Sequence, residues 1–324
     1  MIAGVLRETA SREQRVALTP ADAARLLTAG IRVVVEREAG RYAGFSDADY
    51  HAAGAVIAAG RSEVFEGCDL VAWVKPPAFA LDSMPLRAGM VLLGFQDPLH
   101  RRAEIAELRA RGIESVAFEH VRRDPGSTDI DALSAMSRIA GGIAYREGRA
   151  LLPQDRTARP IQAMVLGCGE AGLAALGAAG TFGDRKPIAI GNRREHEAAA
   201  IRFGAGYFVL NPEGDRTLVL DRIAAASPDL IICTAVHRGA QAPLLLDDAA
   251  LDALATGAVV VDLVAKAGGN CSAVLPDATV QRNGVTITHR SNYPSDQPHS
   301  ASRAFGAATA AMIRRIVGDA STRG

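Results

Sequence analysis

Residues 163–183 read AMVLGCGEAGLAALGAAGTFG, and residues 187–208 read PIAIGNRREHEAAAIRFGAGYF. An apolar strand, a Gly-x-Gly-x-x-Gly turn and an alanine-rich helix in that order form a dinucleotide-binding fingerprint. Gly167 allows the tight turn, Gly169 lets the backbone approach a pyrophosphate, and Gly172 lets the helix pack on its strand. A carboxylate normally follows at the end of the next strand, where it accepts hydrogen bonds from the adenosine ribose. Here Asn192, Arg193 and Arg194 occupy that place. Neither arginine would repel a 2′-phosphate, and a guanidinium pairs well with one, so the turn predicts NADP, with NAD the alternative.

Outward from this turn, strand-like and helix-like runs alternate along the chain. IAGVL, PADAARLLTAG, RVVVE, SEVFEGC, LVAWV, AEIAELRARG and ESVAFE make a first block. IQAMVLG, PIAIGN, GYFVL, DLIICTA, AVVVDLV and GVTITH are six strands of a second. Such alternation predicts α/β units with parallel sheets, and a six-strand Rossmann order for the second block. Thr19 before Pro20 marks a helix start, since the hydroxyl caps open amides and proline fits the first turn. The break at RRDPGSTDID, near Arg123, and the loop SNYPSDQPH before a last helix give the domain limits. Residues 1–125 with 294–324 are expected to form one discontinuous domain, and 126–293 the dinucleotide domain.

Composition narrows the partners. The 324 residues are 48% hydrophobic, enough for two cores, and 36 Lys+Arg balance 36 Asp+Glu. That balance gives no general attraction to nucleic acid or anionic membrane. Apolar runs such as ATGAVVVDLVA are too short for a bilayer span, and the amino terminus lacks a signal-peptide pattern, so a cytoplasmic protein is expected. Cys68, Cys168, Cys233 and Cys271 are widely separated and form no metal-ligand pair; no metal is expected.

Several segments together resemble the alanine dehydrogenase and pyridine nucleotide transhydrogenase alpha-subunit family. They are GVLRETASREQRVALTP, VAWVKPP, DIDALSAMSRIAGG, VLGCGEAGLAALGAAGTFG, LIICTAVHRGAQAP, VVVDLVAKAGGNC and SNYPSDQPHSASRAFG, spanning nearly the whole chain in order. VDLVAKAGGNC is most like the transhydrogenase branch. The resemblance implies two Rossmann-like domains with a cleft between them. It places Arg15 and Lys75 as substrate-side cations, a sensible pair for a carboxylate and a carbonyl or imine. It also places Asp131 and Ser134, with Arg123, in a loop that approaches the nicotinamide. Read alone, Asp131 is equally a helix cap. Thr234, Ala235, Asp262, Asn270, Asn292 and Tyr293 fall in segments that line the cofactor site of the family.

Two departures bear on chemistry. Alanine dehydrogenases carry an acid-base histidine where VLLGFQDPLH has Gln96, and glutamine exchanges no proton near neutral pH. They carry an aspartate where this chain has Lys266. His237, His100 and His299, which lie beside motif segments, and Lys266 are the replacement candidates, Lys266 on the premise that burial would free its amine for proton transfer. From the transhydrogenase pattern, the chain departs by lacking room for the long mobile excursion within FVLNPEGDRTLVLDRIAAASPDL. The turn and the resemblance together imply an NADP-preferring oxidoreductase acting on a small carboxylate-bearing imino acid, oxo acid or amino acid, and the resemblance, with the alanine-rich helices around GGIAYREGRALL, implies a homo-oligomer. The alternatives are the nucleotide-binding alpha component of a transhydrogenase and a non-catalytic dinucleotide sensor.

Overall fold

A computed structural model describes residues 1–122, 124–237 and 239–322, with only the backbone of Pro125 and of 319–322. The chain divides into two compact units, Met1–Met136 with Pro294–Gly324, and Ser137–Tyr293. Arg123 lies outside the described residues.

The first unit holds strands β1 (Ile2–Val5), β2 (Arg32–Glu36), β3 (Val56–Ala58), β4 (Leu70–Ala72), β5 (Val91–Gly94) and β6 (Glu114–Ala117). Their order is β3-β2-β1-β4-β5-β6, and every pairing is parallel. Both faces of β4 and β5 are buried, which is why these strands read as unbroken apolar runs rather than alternating ones. The helix Pro20–Thr28 begins as its sequence predicts. Thr19 accepts from the Asp22 amide, Asp22 accepts from the Thr19 amide at 2.9 Å, and Pro20 occupies the first turn.

In the second unit, β7 (Ala163–Leu166), β8 (Ile188–Gly191), β9 (Tyr207–Leu210), β10 (Leu230–Cys233), β11 (Val259–Asp262) and β13 (Val285–Thr288) are parallel. Counted from β7, they follow the Rossmann order 3-2-1-4-5-6 expected from the sequence. An additional edge strand, β12 (Thr279–Arg282), pairs antiparallel with β13. The turn between them is Asn283-Gly284, both with positive φ, the geometry that a two-residue hairpin requires. One face of the sheet is covered by the helix Ala132–Ala150, where Gly148 meets Leu230 and Val261, and Tyr145 is fully buried.

Candidate functional site

The glycine turn follows β7 and opens the helix Glu170–Thr181. Gly167 has φ +98°, and a Cβ there would stand 2.7 Å from the Ala235 amide and from Thr234 Oγ1. A Cβ on Gly172 would stand 1.9 Å from the Gly167 carbonyl oxygen. Both glycines are therefore required by the protein's own packing. Gly169 is different, since a Cβ there meets nothing within 4 Å. It is the residue just before the helix, where unpaired amides favour an anion. The open approach at Gly169, flanked by two closed glycines, fits a phosphate-bearing group in the turn.

Neighbouring segments are held by polar side chains that are buried or half-buried. Thr234 Oγ1 donates toward the Leu166 and Gly167 carbonyls, at 3.1 and 3.0 Å. Asn270 accepts from the Ala235 amide and donates to the Ala235 and Pro243 carbonyls. Asp262 accepts from the amides of Val264, Asn270 and Cys271. Burial pushes the Asp262 carboxyl up, and those three amides partly offset it. Asp262 and Asn270 are fully buried, so their polar atoms shape the loops after β10 and β11.

At the end of β8, Asn192, Arg193 and Arg194 are exposed. Among the described residues, neither arginine makes an ion pair. Asn192 Nδ2 lies 3.4 Å from His237 Nε2, so His237 stands at the β8 end of the site with the two arginines. His196, half-buried, joins them. Its Nδ1 is buried without a hydrogen-bond partner, and burial, then the Arg193 charge, push its proton affinity down. The sequence assigns His237 to acid-base work; the structure sets it beside Asn192 at the end of β8. His196 carried no sequence signal of its own.

Lys266 departs from its expectation more sharply. Its side chain is 65% exposed and lies 3.7 Å from Asp277, so the burial on which its proton-transfer role depended is absent. Asn292 has φ +65°, a left-handed position that asparagine tolerates, and Tyr293 is buried in the core with Arg290 over its ring. The four cysteines are buried, and burial pushes the Cys168 thiol up to about 12.

In the first unit, Arg15 and Lys75 converge on Glu13. Arg15 donates through Nε and Nη2 to the two Glu13 oxygens, each at 2.6 Å, and both side chains are buried. Lys75 Nζ is 3.9 Å from Glu13 and its side chain is one-third exposed. Burial would raise the Glu13 carboxyl, but the Arg15 guanidinium outweighs it and holds it below the ordinary range. Glu8 completes the group, accepting from the amides of Val74 (2.6 Å) and Lys75 (3.1 Å). Neither glutamate was singled out by sequence; the charge beside Arg15 in REQR was the one available signal for Glu13.

Asp131 and Ser134 bond to one another. The Asp131 carboxylate accepts from the Ser134 amide (3.0 Å) and hydroxyl (2.6 Å), the helix-cap geometry. Gln96, in the place of the family histidine, is buried and donates to the Leu92 carbonyl. Among the described residues, no cluster of His, Cys, Asp and Glu is arranged to hold a metal, and no helix is long and apolar enough to cross a membrane.

Residues 4–140 match the family model for the alanine dehydrogenase/PNT N-terminal domain, and 145–323 match that for the C-terminal domain. The chain is 34% identical to NAD(P) transhydrogenase subunit alpha of Cereibacter sphaeroides over 93% of its own length, and spans 63% of that relative. It thus spans less than two thirds of that relative's length. It is 30% identical to alanine dehydrogenase of Bacillus subtilis, over 94% of this chain and 82% of the relative. The crystal structure of transhydrogenase from Sinorhizobium meliloti superposes with a TM-score of 0.88 at 27% identity, covering 98% of this chain and 94% of that one.

Proposed function

The chain belongs to the alanine dehydrogenase/PNT family of NAD(P)-dependent oxidoreductases, and on that premise we propose that it catalyses hydride transfer to or from an imino acid, oxo acid or amino acid, preferring NADP. The observation that supports cofactor binding is the open approach at Gly169 between two glycines that packing demands. The bound nicotinamide would supply the hydride chemistry. This chain's part is to bind, orient and exclude water. Arg15 and Lys75 would hold the substrate's carboxylate and polarise its carbonyl or imine. Gly167, Gly169, Gly172, Thr234 and Ala235 would form the pyrophosphate turn, with Asn192, Arg193, Arg194 and His237 around a 2′-phosphate. Asp262 and Asn270 would act on the nucleotide through the loops they hold.

The deciding experiment measures affinities for NADPH and NADH by calorimetry, then follows NADPH oxidation against a panel of oxo acids with and without ammonia. NADPH binding with turnover of a carboxylate-bearing oxo acid is the expected result. Binding of neither nucleotide would overturn the proposal.

A second reading, the nucleotide-binding alpha component of a transhydrogenase, is favoured by the 34% identity to such a subunit along 93% of the chain. It predicts nucleotide binding without turnover of any oxo acid, and hydride exchange with a second nucleotide only when a partner chain is supplied. We also propose a homo-oligomer. Sedimentation at micromolar concentration checks it, and a monomer would count against it.

A further inference from the structure

The β8 end carries imidazoles as well as guanidiniums, and one imidazole is held in an unusual way. The His196 amide donates to the Arg193 carbonyl at 3.2 Å, which sets this residue one turn beyond the Asn192 and Arg193 pair. Its Nδ1 is buried and, among the described residues, has no hydrogen-bond partner, which leaves Nε2 as the ring nitrogen open to a ligand. A neutral imidazole has one donor nitrogen and one acceptor, and an imidazolium has two donors. A proton on Nδ1 would therefore be a buried donor with nothing to receive it, the rarer and costlier kind of orphan. The enclosure selects the neutral ring with its proton on Nε2. The charges facing the ring are Arg193 and Glu195 from its own segment and His237 from the loop after β10. Burial, then Arg193, push its proton affinity down, with His237 in the same direction and Glu195 opposing, in agreement with the geometry.

We propose that His196 is a cofactor-binding residue that reads the oxygen on C2′ of the adenosine ribose, its Nε2–H donating to that oxygen whether it is a bare hydroxyl or carries a phosphate. This rests on the dinucleotide reading of the glycine turn. The end of the second strand of a Rossmann unit is where the ribose is held, and the acid that would accept from its hydroxyls is Asn192 here. A hydroxyl can accept as well as donate, and a phosphate oxygen accepts, so one neutral donor serves both. The arginines differ in this respect. A guanidinium gains most from a charged acceptor, so Arg193 and Arg194 separate NADP from NAD while His196 contributes to both.

The test is calorimetric titration of the full chain with ADP, 2′-deoxy-ADP and 2′,5′-ADP, fragments that differ at C2′. His196→Leu should weaken ADP and 2′,5′-ADP about three- to tenfold, the worth of one neutral hydrogen bond, and leave 2′-deoxy-ADP unchanged. His196→Gln, whose amide nitrogen falls where Nε2 lies, should restore both affinities. Should the leucine variant not fold, His196→Asn takes its place, since its amide reaches only the Nδ1 position. Unchanged affinities in the leucine variant, an equal loss for 2′-deoxy-ADP, or a loss that glutamine does not repair overturns the His196 contact while leaving the dinucleotide reading intact. Binding of none of the fragments by the parent chain overturns that reading, and His196 with it.

Discussion

Arg15 and Lys75 differ in how far each is committed to the fold, so their removal separates structure from chemistry. Lys75 is one-third exposed and 3.9 Å from Glu13. Lys75→Ala should leave the melting temperature within a degree or two while slowing turnover about a hundredfold or more, the usual effect of removing a cation aimed at substrate charge. Arg15→Ala strands Glu13 as a buried carboxylate without its guanidinium, a loss of about 3–5 kcal/mol, so both stability and turnover should fall. Unchanged turnover in both variants would show that these cations lie outside the working site. At the β8 end, Arg193→Ala should weaken NADPH about ten- to a hundredfold, the worth of one charge-assisted hydrogen bond, and leave NADH nearly unchanged. Equal losses for both nucleotides would refute the phosphate contact. Residue-scale roles were the least legible part of the sequence. The Glu8 carboxylate is bonded by amides 66 and 67 positions away, and the exposure of Lys266 is not encoded in its own sequence neighbourhood.

The glycine turn is one element with two different kinds of glycine, and that gives a paired prediction. Gly172→Ala drives a methyl to 1.9 Å from a carbonyl oxygen of its own turn, so the helix Glu170–Thr181 must shift and stability must drop. Gly169→Ala meets no protein atom and has an ordinary negative φ, so the fold should melt unchanged. On the proposed function its methyl stands in the approach of the pyrophosphate, and both NADH and NADPH should bind at least tenfold more weakly, a loss of about 1.4 kcal/mol. Thermal melts beside nucleotide titrations of the two variants check the pair; unimpaired nucleotide binding by Gly169→Ala would remove the principal support for a cofactor in this turn. Elements were also where the sequence was most readable. Buried parallel strands are continuous apolar runs, and the six predicted in the second unit are all present. The antiparallel β12 escaped because its face alternates weakly, although Asn283-Gly284 marks its turn.

At the scale of the molecule, the chain's last helix returns to the first unit and braces the loop that carries Arg15. Ser302 Oγ accepts from the Val16 amide at 3.0 Å, and Ser295 Oγ accepts from the Gln14 amide at 2.8 Å, so the residues on both sides of Arg15 are tied to the tail. Ala301, Phe305 and Ile313 are fully buried, and Gly306 has no Cβ because Asp22 of the helix Pro20–Thr28 would stand 2.2 Å from it. The tail is thus a structural part of the loop that carries Arg15, almost three hundred positions earlier, and of the substrate seat proposed there. Ser302→Ala leaves the Val16 amide buried without its acceptor, a cost of about 1–3 kcal/mol, and the double change with Ser295→Ala releases both sides of the loop. The double variant should melt several degrees lower and bind oxamate, a carboxylate that cannot be reduced, more weakly, because Arg15 loses its fixed backbone. NADPH affinity, which the proposed function assigns to the glycine turn of the other unit, should not change. Oxamate affinity equal to that of the parent chain would mean that Arg15 is held by Glu13 alone, and that the returning helix contributes packing without setting the geometry of the seat.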